Sequence, residues 1–248
     1  MIFDAHVHCG LTLKYENVKQ EWDKANIDGG VLFSPVEEIY NRYDPSFTDS
    51  EYYIDSRSKV HKYLCKLKKS NSNLFIYYFV WNDFKLPDNN FSGIKWHRHA
   101  NEPIYNYSSD ECKEFIDFIC KKKLPVIIEE EFSNCINFIK LINGRTSIII
   151  PHLGFLNGGY EQLKAEGIFA EDNIYADSAL ADEYEIVDFC KNFGVNKLFF
   201  GSDYPFGSPY FELQKIKKLF SGKDFSMITI ENIKKLLSQC SNQSASVK

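Results

Sequence analysis

The sequence predicts an α/β fold in which eight parallel strands close into a barrel wrapped by helices. Three observations lead there. Eight short apolar runs recur along the chain, several apolar at consecutive positions, as strands buried on both faces of a parallel sheet require. Polar stretches of helical period lie between them. The 248 residues are enough for one large domain, and eight strand-helix units of about thirty residues consume nearly all of them. An open sheet of five or six strands would leave much of the chain unused.

In chain order, the strand candidates are residues 2–7, 30–34, 74–80, 93–96, 125–128, 147–150, 174–176 and 197–201. The run Ser147-Ile148-Ile149-Ile150 shows the doubly buried type most clearly. Helical patterns cover 109–122, 132–142, 181–192 and 209–220, with a last helix near 229–238. In the first of these, Phe115, Ile116, Phe118, Ile119 and Cys120 oppose Asp110, Glu111, Lys113 and Glu114. Ser109 or Asp110 can cap it, and Lys121 to Lys123 stand at its negative end. Residues 35–55, with Asn41-Arg42-Tyr43-Asp44-Pro45-Ser46 and four tyrosines, break the rhythm and read as an insert over the barrel mouth. Residues 1–240 thus form one barrel domain, and 241–248 a frayed Ser/Asn/Gln tail.

Composition narrows the function. With 44% hydrophobic, 25% charged and 16% aromatic residues, disorder, collagen and coiled coil are excluded. Lys plus Arg number 29 against 34 Asp plus Glu, a net charge of −5, which speaks against a nucleic-acid partner. Lys121-Lys122-Lys123 and Lys217-Lys218 read as solvated helix ends. Seven scattered cysteines without a CxxC pair indicate neither a disulfide framework nor a thiolate zinc site, and fit a reducing compartment. The N-terminus lacks a basic stretch followed by an apolar one, and no apolar run is long enough to span a membrane, so a soluble, cytoplasmic protein is expected.

Most of the unusual polar residues collect at one end of the predicted strands. His6 and His8 close the first, Lys95 and His97 the fourth, Glu129 the fifth and His152 the sixth; Asp177 and Asp203 follow the seventh and eighth. Residues two apart on a strand face the same side, so His6 and His8 can share one metal ion, with a carboxylate such as Asp203 completing the site. A metal ion brings the pKa of its bound water near neutrality, and Asp203 can take that proton. Buried imidazoles need partners in any case. His61 and His99 are read as structural, and Lys95 as either a charge-balancing buried cation or a site residue.

The segments Asp4-Ala5-His6-Val7-His8, Gly93-Ile94-Lys95-Trp96-His97, Pro151-His152-Leu153-Gly154 and Phe200-Gly201-Ser202-Asp203-Tyr204-Pro205-Phe206, in this order, resemble the amidohydrolase superfamily. The branch most similar is the amidohydrolase-related one ("amidohydrolase 2"), which holds metal-dependent TIM-barrel hydrolases, lactonases and non-oxidative decarboxylases. Glu231-Asn232-Ile233-Lys234-Lys235-Leu236-Leu237 is similar to that branch's closing helix. The resemblance implies a (β/α)8 barrel with a metal site at the C-terminal strand ends. It implies His6 and His8 as the HxH ligand pair and Asp203 as the aspartate after the last strand. His152 would be a ligand or a contact to substrate and metal-bound water. After Pro125-Val126-Ile127-Ile128 the family commonly has a histidine ligand, whereas this chain has Glu129, which can also bind zinc or manganese. Lys95 matches a family lysine that is carboxylated in some binuclear members; here one divalent metal, zinc or manganese, and an unmodified lysine are expected.

The leading expectation is a hydrolase of an amide, lactone or ester carbonyl in a small molecule. Asp203 and His152 would be catalytic, His6, His8, Glu129, His152 and Asp203 would hold the metal, and Lys95 and His97 would hold an anionic part of the substrate. A decarboxylase of the same branch is the alternative, and a degenerate barrel, motivated by Glu129 and the tyrosine-rich insert, is the third. Self-association into a homo-oligomer is compatible with the sequence.

Overall fold

The computed structural model describes residues 1–241, with side chains through residue 238. The expected tail therefore lies outside the described residues apart from the backbone of Ser241. Eight strands run parallel in sequence order: β1 (Phe3–His8), β2 (Gly29–Phe33), β3 (Leu74–Phe79), β4 (Gly93–His97), β5 (Val126–Glu129), β6 (Ile148–Ile150), β7 (Ile174–Asp177) and β8 (Leu198–Phe199). The ring closes through the segment after β8. Ala5 N donates to Phe200 O at 2.8 Å, His8 N donates to Tyr204 O at 2.9 Å, and Val7 bridges Tyr204. The strand predicted over 197–201 is shorter, Leu198–Phe199, and Phe200 N donates to Ile228 O while its carbonyl still serves β1.

Helices α1 (Tyr15–Ala25), α2 (Glu51–Ser70), α3 (Asp110–Lys121), α4 (Phe132–Ile142), α5 (Tyr160–Ala165), α6 (Glu183–Phe193), α7 (Pro209–Leu219), α8 (Gly222–Ser226) and α9 (Asn232–Ser241) surround the strands. Ser109, rather than Asp110, caps α3, its hydroxyl accepting from Cys112 N at 3.1 Å. The insert is shorter than 35–55, because α2 starts at Glu51, capped by Ser50. The last helix is also offset: a π turn, Met227–Glu231, precedes α9.

Two cores follow from this geometry. One lies between the sheet and the helices. The other fills the barrel itself with inward residues such as Phe3, Val31, Tyr77, Ile127, Ile149 and Phe199, and is continued by Ile233, Leu236 and Leu237 of α9. Helix α9 therefore packs on the lumen residues at the N-terminal ends of the strands, leaving the C-terminal ends as the open side.

Candidate metal centre at the barrel mouth

The last residues of the strands bring their polar side chains together. His6 Nε2 lies 3.4 Å and His8 Nε2 3.3 Å from Asp203 Oδ1. Each imidazole is aimed by its other nitrogen: His6 Nδ1 meets Asp177 Oδ2 at 2.8 Å, and His8 Nδ1 meets Ser34 O at 3.3 Å. With the proton of each ring on Nδ1, both Nε2 lone pairs would be free to meet a cation held between them and Asp203. Asp203 is placed by a positive φ of 53° and by its N–H donating to His6 O at 2.8 Å. Gly201 allows that approach, since a Cβ there would come within 3.0 Å of His6 Cβ.

Charge around the site is finely divided. Burial holds the His6 pKa below its ordinary value, assisted by Lys95, and outweighs Asp177 and Asp203; His6 is therefore neutral, as a ligand must be. Burial alone would raise Asp203, but the ring of histidines around it, His8, His6 and His152, brings it to about 2. Burial likewise opposes Asp177, yet His6 and His152 lower it. His152 behaves oppositely to His6. Burial disfavours its charge, but the hydrogen bond and charge of Glu129, with Asp177 and Asp203, raise it to about 9.

His152 adopts a φ of 56°, a conformation costly for a non-glycine residue and held by Asp177 Oδ1, which accepts from His152 N at 3.0 Å. Its Nδ1 meets Ala179 O at 3.0 Å, so Nε2 points inward, 3.6 Å from Glu129 Oε2 and 3.9 Å from Asp203 Oδ2. Asp177 thus serves two histidines at once. It was not among the predicted site residues.

Glu129 is the hub of a second cluster. Its Oε2 accepts from Lys95 Nζ at 2.9 Å, and its Oε1 meets His97 Nε2 at 3.0 Å and also His99 Nε2. Burial would raise Glu129, but His97 and Lys95 hold it well below the usual carboxylate range. Burial lowers His97 to about 4 despite Glu129. Fully buried Lys95 also reaches His6 Nε2 at 3.3 Å and lies over the Phe33 ring at 4.7 Å. His99, read from sequence as structural, is therefore part of the site, and Arg42 of the insert approaches its Nδ1 at 3.0 Å while pairing with Glu102. Among the described residues, three groups bring ligand atoms within 4.8 Å of one another: His6, His8 and Asp203; His6, His152 and Asp177; and His97, His99 and Glu129. The first suits a first-row divalent ion best, since the Nδ1 partners of both imidazoles, Asp177 and Ser34 O, favour the proton there and leave the converging nitrogens to a cation. In the second, Asp177 is already spent on the histidines; in the third, Arg42 donating to His99 Nδ1 puts the proton on the nitrogen that faces Glu129.

No protein-family model matches the sequence, and no curated protein does. Solved structures do match in fold. A 2,6-dihydroxybenzoate decarboxylase from Rhizobium superposes with a TM-score of 0.70 at 10% identity, covering 96% of this chain and 98% of that one. A candidate 2-pyrone-4,6-dicarboxylic acid hydrolase from Pseudomonas putida gives 0.71 at 10% identity, covering 96% and 97%. An amidohydrolase 2 from Bifidobacterium longum subsp. infantis gives 0.63 at 17% identity, covering 96% and 98%. The fold is thus a TIM barrel, shared with these structures over nearly the whole length of the chain.

Proposed function

We propose that the protein is a metal-dependent hydrolase acting on an amide, lactone or ester carbonyl of a small molecule. The observation that carries this reading is the convergence of His6, His8 and Asp203 at the C-terminal strand ends, with both imidazoles aimed from behind. A divalent cation, zinc or manganese, held by these three would supply Lewis acidity and acidify the water it binds. Asp203 keeps its second oxygen toward His152, where it can receive a proton and pass it to the leaving group. His152, protonated at neutral pH, donates from Nε2 to the substrate oxygen on which negative charge develops. Glu129 is committed to Lys95, His97 and His99, so in this reading it positions His152 and ligates no metal. An anionic substrate group would meet the field of Lys95 rather than its free side chain, and His97, lowered to about 4, adds no charge.

A second reading, a non-oxidative decarboxylase, is supported by His152: an imidazolium at this place can protonate a carbanion left after loss of carbon dioxide. Water incorporation into product supports the first reading and carbon dioxide release the second. Metal analysis of the purified protein tests what both share. Bound zinc or manganese near one per chain, lost in Asp203→Asn, is expected; a protein that takes up neither ion overturns both.

A further inference from the structure

A cavity of about 190 Å³ opens at the barrel mouth, walled by the segments that follow β1, β2 and β8. His8 lines it, and the same imidazole offers one of the three converging ligand atoms of the candidate metal centre, so cavity and centre share a ring. The remaining walls are mostly apolar: Leu13 from the first segment, buried Pro35 and Val36 from the second, and Phe206 from the third. Phe206 is 63% exposed and meets His8 at 83° with ring centroids 5.5 Å apart. Neither hydrophobic core includes Phe206 or half-buried Leu13, so both are apolar surface that a ligand can cover.

Contacts within the chain fix these walls. Glu38, 4% exposed, accepts from Leu11 N at 2.9 Å, Thr12 N at 2.6 Å and Thr12 Oγ at 2.5 Å, which ties the first segment to the second. Gly10 admits that carboxylate, since a Cβ there would overlap it. Phe206 N donates to the carbonyl of Asp203 at 2.8 Å, which anchors the third wall on a residue of the centre itself. Walls already in place spare a ligand the cost of ordering them. Charge is one-sided: no lysine or arginine lines the cavity among the described residues, and its one carboxylate, exposed Glu37, lies 3.3 Å from Arg42 Nη1. An anionic group placed here would give up water and meet a carboxylate, with no lining cation in return.

We propose that this cavity is the subsite for an uncharged, apolar substituent on the carbonyl carbon of the substrate, of about the size of a phenyl ring. An apolar cavity of roughly 150 Å³ is enough to hold benzene. That the occupant is part of a carbonyl substrate rests on the hydrolase reading, whereas the choice of an uncharged ring rests on the cavity alone. NMR titration of the full chain, as purified and after EDTA, tests it with benzamide, with acetamide, which lacks the ring, and with 4-carbamoylbenzoate, which adds a carboxylate to it. Benzamide is expected to bind about tenfold or more tightly than acetamide in both forms, and than 4-carbamoylbenzoate after EDTA, where no metal can hold the carboxylate. Phe206→Ala, at an exposed position, should weaken benzamide about fivefold and leave acetamide unchanged. Leu13→Arg should reverse the order and make 4-carbamoylbenzoate the tighter ligand. Benzamide no tighter than acetamide, equal benzamide binding by Phe206→Ala, or an order unchanged in Leu13→Arg overturns the inference. The expected preferences in a chain that takes up neither zinc nor manganese would overturn the hydrolase reading and leave the subsite standing.

Discussion

Asp177 shows how one carboxylate can set the properties of several neighbours. It accepts from His6 Nδ1 and from the backbone of His152, so its loss frees one imidazole to rotate and releases the other from its left-handed conformation. Asp177→Ala is expected to weaken zinc binding by about 10- to 100-fold, as removal of partners behind a metal-ligating histidine does; competition with a chromophoric chelator reads it. Glu129 sets the protonation of His152 in the same indirect way. In Glu129→Gln the His152 pKa should fall from about 9 toward its ordinary value, followed by NMR titration of the ring in metal-free protein; an unchanged value would remove Glu129 as its cause. His6, His8 and Asp203 were legible in the sequence because strand period and strand end give them a spacing. Asp177 was legible as a strand-end residue but not in its role, and His99 not as a site residue, because an orienting group needs only to reach its target and leaves no period in the chain.

Elements differ in legibility for a related reason. Strands β3 to β7 stood out because residues buried on both faces make unbroken apolar runs, as in Ile148 to Ile150. Helices α1 and α2 passed unnoticed because they bury so little: Val18, Trp22 and Ala25 on α1, and Arg57, Val60, His61 and Leu64 over the whole of α2. Half of that α2 face is polar, which hides the stripe a helix normally shows. The same fact makes α2 sensitive to acid. Burial and Arg57 lower His61 from 6.5 to about 3, so it is neutral in the fold. A histidine pKa depressed by folding adds stability that is complete above the unfolded value and is lost as pH falls from about 6.5 toward about 3. The loss is on the order of 4 kcal/mol at the acid end. Urea unfolding across this range should show that decline, and His61→Phe should flatten it.

At the scale of the molecule, the barrel separates a chemical end from a packing end. Asp4 helps close the ring from outside the lumen, and α9 packs on the opposite end of it from the histidines. Asp4 accepts from Ser202 N at 2.9 Å, Ser202 Oγ at 2.6 Å and Trp22 Nε1 at 3.1 Å, joining β1 to the segment after β8 and to α1. From sequence this aspartate read only as part of a metal motif, yet its side chain serves closure. Ile233 of α9 is 1% exposed and packs with the lumen residues, so Ile233→Ala removes buried volume that the rigid ring of strands cannot collapse to fill. A cost of about 3 kcal/mol is expected in urea unfolding of the metal-free protein. Zinc affinity measured below the unfolding transition should be unchanged, because Ile233 packs with the lumen residues and not with His6, His8 or Asp203. Asp203→Asn should give the converse pattern, losing the metal while the metal-free protein keeps most of its stability. If Ile233→Ala weakened zinc binding as strongly as Asp177→Ala, the two ends would be coupled through the lumen core, and closure and chemistry could not be assigned to opposite ends of the barrel.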